Sequence, residues 1–227
     1  MRCKTCGLAI AEGEEYICSH CGTSGTTNHN DDPVLYCERR TQIAKDFAPY
    51  HIYGKIKTDA IELYLIVMNG STLKQGKRRA MMWKCAYYAF IVLNREPRDP
   101  ILLARLFNVT LKQMRVAQAD FAKRIHLLQL QDIYPTKFLN AEELLPEFML
   151  YLNVDPSFGD TLLDLIGHVL AEYESAERIQ PRIIAICAIL WLDSVVTKKL
   201  RMIEVCKDMQ VPKATANKTM QLFSTLL

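Results

Sequence analysis

From Arg39 onward the apolar residues of this chain recur every three to four positions, the period of a helix with one buried face, and no stretch shows the convincing alternation of a half-buried strand. Turn signals cut the pattern into segments. They predict helices at about 39–49, 57–69, 77–94, 99–107 and 110–128, and again at 140–152, 159–174, 180–196, 200–209 and 212–225. Asn69-Gly70 closes the second, Pro97 and Pro100 bracket the start of the fourth, and Thr110 suits the N-cap of the fifth. Pro181 fits a first-turn position, and Pro212 follows Val211 at the start of the last helix. Before residue 39 the period is lost: GTSGTTNHNDDP is polar, rich in turn formers, and reads as a linker.

Five helices occurring twice invite superposition. A shift of 102 residues lays the second set on the first without a gap, pairing Ile43 with Leu145, Phe47 with Met149, Ile61 with Leu163, Tyr64 with Ile166 and Met82 with Ile184. It also pairs Ala86 with Ala188, Ile101 with Ile203, Phe107 with Met209, Val109 with Val211 and Phe121 with Phe223. The third helix of each set, AMMWKCAYYAFIVL and RIIAICAILWLDSVV, is apolar nearly all round and should be the central post of its bundle, with Ala86 and Ala188 allowing close packing.

Composition agrees with a packed body: half of the 227 residues are apolar. The richest apolar run, 183–196, is shorter than the ~18 residues that span a bilayer, and it carries Asp193. The chain opens MRCKTCGLAI, where a secretory segment would need an apolar run, so a soluble, non-secreted protein is expected.

Eight cysteines fall into two groups. Cys37, Cys85, Cys187 and Cys206 are scattered, mainly in apolar helical stretches, where a thiol acts as a small buried hydrophobe. Cys3, Cys6, Cys18 and Cys21 form two C-x-x-C-G knuckles, CKTCGL and CSHCGT. The two-residue gap lets both thiolates of a knuckle reach one Zn²⁺, and the following glycine accommodates the turn that directs amides at sulfur. Four thiolates close a tetrahedral shell, so one structural zinc is expected, with no open position to activate water. The residues between the knuckles leave room for a short hairpin over 9–17. A disulfide framework is the alternative; the lack of a secretory segment and the large apolar body favour metal. His20 and His29 are possible substitute ligands.

The net charge of +3 says less than its distribution. Residues 1–38 hold two basic and six acidic side chains, 138–180 hold nine acidic against Arg178 alone, and 198–227 hold six basic against two acidic. The basic tail coincides with the last two predicted helices. A helix-turn-helix sets the first residues of its second helix at base edges in the major groove. Here these are Lys213, Ala214, Thr215, Asn217 and Lys218. Asn can bond adenine in bidentate fashion, Ala and Thr can meet a thymine methyl, and Lys213, Lys218 and Lys199 can neutralise phosphates. An ordinary helical hairpin with a solvated basic face is the alternative. A second cluster, Lys74, Lys77, Arg78 and Arg79, precedes the central helix of the first set; it either contacts phosphates or forms a solvated loop.

The Cys₄ knuckles, a linker and two five-helix sets together resemble transcription factor IIB and its archaeal and viral relatives, over almost the whole chain. GKRRAMMWKCAYYAFIVLN is similar to that family's central cyclin-type helix, and IEVCKDMQVPKATANKTMQLF to the helix-turn-helix ending its second repeat. The resemblance implies a mainly α fold: a small β zinc ribbon at 1–24, a linker at 25–38, and cyclin-like repeats at 39–132 and 133–227. It implies a non-enzymatic initiation factor, monomeric outside its complex, whose ribbon docks on a multisubunit RNA polymerase and whose repeats hold promoter DNA with TATA-binding protein. Lys77, Arg78 and Arg79 would then lie beside DNA flanking the TATA element. The acidic block 138–180 would face a basic partner surface such as that of the TATA-binding protein. The expected compartment is the nucleus, or the host cytoplasm for a viral protein; so short a linker would suit a large DNA virus with its own polymerase. Two departures stand out: Asn217 occupies a position where the family commonly has arginine, and the linker is far shorter than the family's.

No phosphate-cradling glycine loop, G-x-S-x-G or H-E-x-x-H motif occurs, and the Ser71/Lys74 spacing lacks the partner motifs of an S-x-x-K enzyme, so no catalytic site is expected. A cyclin-like subunit that binds and activates a kinase would share the repeats, but cyclins do not usually begin with a Cys₄ ribbon. A zinc-ribbon adaptor that binds only protein is a third reading.

Overall fold

The computed structural model describes residues 15–17, 24–26, 33–69, 71–132, 134, 137–173, 176 and 178–225, with side chains described from Tyr36 onward. Among the described residues the chain is mainly helical. A short antiparallel pair, β1 (Glu15–Ile17) and β2 (Ser24–Thr26), comes first, with Ile17 opposite Ser24. Ten α-helices follow. They are α1 (Pro33–Phe47), α2 (Gly54–Met68), α3 (Gln75–Tyr88), α4 (Pro100–Leu106), α5 (Leu111–Leu127), α6 (Ala141–Tyr151), α7 (Gly159–Glu172), α8 (Pro181–Val195), α9 (Met202–Asp208) and α10 (Lys213–Ser224).

The chain divides into two units, residues 1–96 with 103–137, and residues 97–102 with 138–227. The division differs from a simple cut at residue 132: the segment 97–102 belongs to the second unit because Asp99 is buried there beside Arg182. A second difference concerns the linker expected over 25–38. Pro33 opens α1, so 33–38 is helical; a proline fits the first turn, where its missing N–H is not needed. That extra length works, because the Tyr36 hydroxyl donates to Glu62 at 2.5 Å and Arg40 pairs with Glu62 at 2.7 Å, fastening α1 to α2.

In the first unit α2 and α5 pack on α3. Trp83 and Cys85 are fully buried on α3, and its helix widens into a π-turn over Ala89–Leu93. Phe47 meets Phe107 edge-on with centroids 6.2 Å apart, while Tyr50 stacks on Phe107 at 4.2 Å. In the second unit α6, α7 and α10 surround α8, of which every residue from Arg182 to Asp193 is buried. A helix covered on all sides explains its lack of any polar face; each buried Ile or Leu there contributes roughly 1.5–3 kcal/mol.

The displacement of 102 residues is visible in the backbone. It carries α4 onto α9 end for end and the start of α5 onto the start of α10. It carries left-handed His51 onto Asn153 and Asn108 onto Gln210. The buried positions Phe47, Tyr64, Met82, Cys85, Ala86, Phe107 and Phe121 all have buried counterparts, including Cys85 with Cys187. Two of the expected apolar pairs part company: Ile61 is buried but Leu163 is 39 % exposed, and Ile203 is 63 % exposed on α9.

Candidate nucleic-acid interface

The basic C-terminal stretch folds as two short helices joined by a tight turn, α9 and α10. Helix α9 stops because Gln210 takes a left-handed conformation, and the Val211 N–H returns to the Cys206 carbonyl at 2.8 Å, which closes the helix end in a Schellman-type turn. Pro212, in extended conformation, then launches α10, whose N-terminus has no side-chain cap. Ala216, Thr219 and Phe223 form the buried face of α10, and the Thr219 hydroxyl donates to the Thr215 carbonyl at 2.9 Å. The opposite face is solvent-exposed at Lys213, Ala214, Asn217, Lys218 and Gln221, positions that fall on one side of a 3.6-residue helix.

Two buried charged residues hold this hairpin from behind. Arg182, in the first turn of α8, donates through Nε to Asp99 at 2.8 Å and through Nη2 to the Met209 carbonyl at 2.9 Å, so its guanidinium fixes the residue that ends α9. Asp99 is fully buried, and its other oxygen accepts from the N–H groups of Ile101 and Leu102 at 3.0 and 2.9 Å, capping α4. Glu147 on α6 accepts from the Asp99 N–H and pairs with Arg98 at 3.5 Å; burial raises its pKa, and those two partners oppose the rise. At the other end of α8, the Asp193 carboxylate accepts from the Thr197 hydroxyl and from the N–H groups of Lys199 and Leu200, the last two at 3.2 and 2.9 Å. That carboxylate therefore shapes the loop that presents Lys199 ahead of α9.

The expected DNA-contacting residues are thus partly assembled. Lys213, Ala214, Asn217 and Lys218 share the exposed face of α10, and Thr215 is half-buried at its edge. Lys199 is exposed on the loop before α9, and it joins Ser157 in lowering the pKa of Asp155: the hydrogen bonds from Ser157 contribute most and the Lys199 charge least. The other cluster divides. Lys77 is exposed on the first turns of α3, whereas Arg78 is half-buried in an ion pair with Asp46 of α1, and Arg79 is half-buried with its Nε unpartnered. Arg78 therefore fastens α3 to α1.

No family model, curated protein or solved structure matches this chain.

The expected zinc ligands Cys3, Cys6, Cys18 and Cys21, with His20 and His29, lie outside the described residues. Among the described residues no cluster of His, Cys, Asp or Glu is placed to hold a metal. The scattered cysteines behave as expected at Cys85, Cys187 and Cys206, which are buried; burial raises all three thiols, Cys187 to about 12. Cys37 is exposed on α1, since the helix starts early and turns that position to solvent.

Reading the sequence alone missed two kinds of residue. Arg182 and Asp193 sit at either end of an apolar run and look like its solvated ends, yet both are buried and organise the hairpin. On α5, Lys112 and Arg115 are exposed at the places that Ala214 and Asn217 hold on α10. Applying the 102-residue shift backwards from Asn217 finds Arg115 directly. Thr110 caps that helix in a reciprocal box with Gln113, whereas α10 has no side-chain cap.

Proposed function

We propose that this protein is a DNA-binding initiation factor of the transcription factor IIB type: a zinc ribbon and two cyclin-like repeats that join promoter DNA and TATA-binding protein to a multisubunit RNA polymerase. The observation that carries the reading is α10: a short second helix of a helix-turn-helix whose free face holds Lys213, Ala214, Asn217 and Lys218 together. Such a face offers Asn217 to a base edge, the Ala214 methyl to thymine, and two ammonium groups to phosphates. Supporting it is the recurrence of helix boundaries, left-handed turn residues and buried positions at 102 residues, the arrangement expected of two cyclin-like repeats. Lys77, Lys199 and the half-buried Arg79 add further charge for phosphates; Arg78 is engaged by Asp46.

The donor chemistry fits one zinc. Cys3, Cys6, Cys18 and Cys21 supply four thiolates in two knuckles. The metal's part would be to fold the ribbon. The factor acts where its polymerase acts, in the nucleus or in the cytoplasm of a virus-infected cell.

Fluorescence anisotropy with labelled promoter duplex across a salt series tests the DNA reading. Each phosphate contact contributes about 0.9 to the slope of log K against log salt, so Lys213→Ala with Lys218→Ala should lower the slope by about 2 and weaken binding at all sequences. An unchanged slope in a folded double variant would remove α10 from the interface.

A further inference from the structure

A second surface lies on the acidic part of the second unit. Helices α6 and α7 and the turn between them enclose an open groove of about 450 Å³, based on Leu145, Met149 and Val154. Leu150 and Leu163 stand on its rim, 80 % and 39 % exposed. Together with the apolar floor, exposed leucines on two neighbouring helices make a contiguous apolar patch of the kind that docking sites use. Gly159 also lines the groove, and a side chain there would meet no atom within 4 Å, so that wall is open.

The corresponding place in the first unit is less apolar at its surface. Shifted by 102 residues, Leu150 becomes Ala48 and Leu163 becomes Ile61, which is 4 % exposed. There the long α1 reaches across to α2 through Tyr36, Arg40 and Glu62. The second unit has the same helix pair but a shorter first helix, its Leu163 is exposed where Ile61 is buried, and Leu150 stands where the first unit has the smaller Ala48.

Charge identifies the occupant. Residues 141–172, which make both walls and their connection, contain seven carboxylates and no lysine or arginine. Glu142 lines the groove itself, and Asp160 and Asp164 are exposed on α7 around Leu163. The Asp155 carboxylate, on the connecting turn, is held below its usual range by hydrogen bonds from Ser157 and stays ionised near neutrality. Glu147 is engaged by Arg98 and Asp155 lies near Lys199, so the rim's negative charge rests on Glu142, Asp160 and Asp164. An apolar floor beside these carboxylates disfavours nucleic acid and fits a peptide with the opposite rim.

We infer that the α6–α7 groove binds a short basic amphipathic helix of a partner protein, with apolar anchors at i, i+3 and i+7 on the groove floor and lysines or arginines facing the acidic rim. Helix α6, at 11 residues, is about 16 Å long and matches roughly three turns of such a ligand. This assignment does not rest on the DNA-binding reading, since none of its residues lies on α9 or α10.

The test uses the full chain and a fluorescein-labelled designed peptide of about 14 residues, with leucines at i, i+3 and i+7 and lysines elsewhere on the exposed face. A partner peptide carries glutamate in place of every lysine. Anisotropy should show saturable binding of the lysine peptide that is at least about tenfold tighter than of the glutamate peptide. Leu150→Asp and, separately, Asp160→Lys with Asp164→Lys should each weaken it by about tenfold or more; these exposed positions leave the fold intact, checked by circular dichroism. DNA affinity through α10 should be unaffected by Leu150→Asp. Equal affinity for both peptides, or binding indifferent to Leu150→Asp, would overturn the proposal. So would a concentration-dependent dimer in sedimentation that Leu150→Asp abolishes, because the groove would then belong to a second copy of this chain.

Discussion

Replacing Arg182 with methionine removes a buried guanidinium that connects α8, the α4 cap and the end of α9. The side chain is 9 % exposed and its partner Asp99 is fully buried, so solvent cannot take over either role. A methionine side chain would fill similar volume but leave the Asp99 carboxylate without a counter-charge and the Met209 carbonyl without its 2.9 Å donor. Breaking a buried pair from one side costs about 3–5 kcal/mol. For a cooperative unit of about a hundred residues, 1 kcal/mol moves Tm by roughly 4–8 °C, so the second unit should melt some 15 °C or more lower. Asp99→Asn keeps an oxygen for the Ile101 and Leu102 amides but strands the guanidinium, and should cost a similar amount. The double variant removes both charges and should lose less than the two single changes summed, by at least about 2 kcal/mol. Urea unfolding followed by circular dichroism, at low temperature where all four proteins are folded, measures the cycle. A loss below about 1 kcal/mol for Arg182→Met, or strict additivity, would rule out a buried, coupled anchor at this pair.

Lys84 of α3 gives a pH-dependent prediction. Its ammonium lies 5.2 Å from the Phe121 ring centroid and 5.3 and 6.0 Å from those of Tyr87 and Tyr88, and burial pushes its pKa down to about 8. The unfolded chain binds that proton up to its ordinary pKa near 10.5, so stability should rise between about pH 8 and pH 10.5. Near pH 7 the charge costs up to about 3 kcal/mol, and Lys84→Met should raise Tm and flatten that pH dependence in calorimetry. On α5, exposed Lys112 and Arg115 should also meet phosphates, so changing both to alanine should lower the salt slope of DNA binding by about 2; an unchanged slope would confine the interface to α10. Elemental analysis should find one zinc per chain, lost in Cys18→Ser with Cys21→Ser while the helical circular dichroism of α1–α10 persists.

Helix positions were legible because each boundary carries its own chemistry. Asn69 closes α2, Thr110 caps α5 and Pro181 opens α8 as their residue types dictate. The repeat was legible because buried positions must keep their phase even when side chains change, as Phe107 and Met209 do. The start of α1 was not, since the polar linker ends in Asp31-Asp32 before Pro33 and the first helical residues add no clear apolar period. Nor were Arg182 and Asp193, because a charge at the end of an apolar run is ordinarily solvated, and only the tertiary fold buries these two. Arg78 looked like its neighbours Lys77 and Arg79, and what separates them is the position of Asp46 on another helix. The groove on α6 and α7 was hidden for the same reason: Leu163 falls on buried Ile61 under the 102-residue shift, and only the tertiary fold leaves it exposed beside Leu150.

Promoter binding itself is best examined by co-assembly of the purified chain with TATA-binding protein and promoter duplex from the same source, read by gel shift over a salt series. The expected result is a ternary complex that weakens steeply with salt and is lost when Lys213 and Lys218 are both changed to alanine. A folded chain that forms no complex at low salt would count against an initiation factor and direct attention to a kinase partner instead.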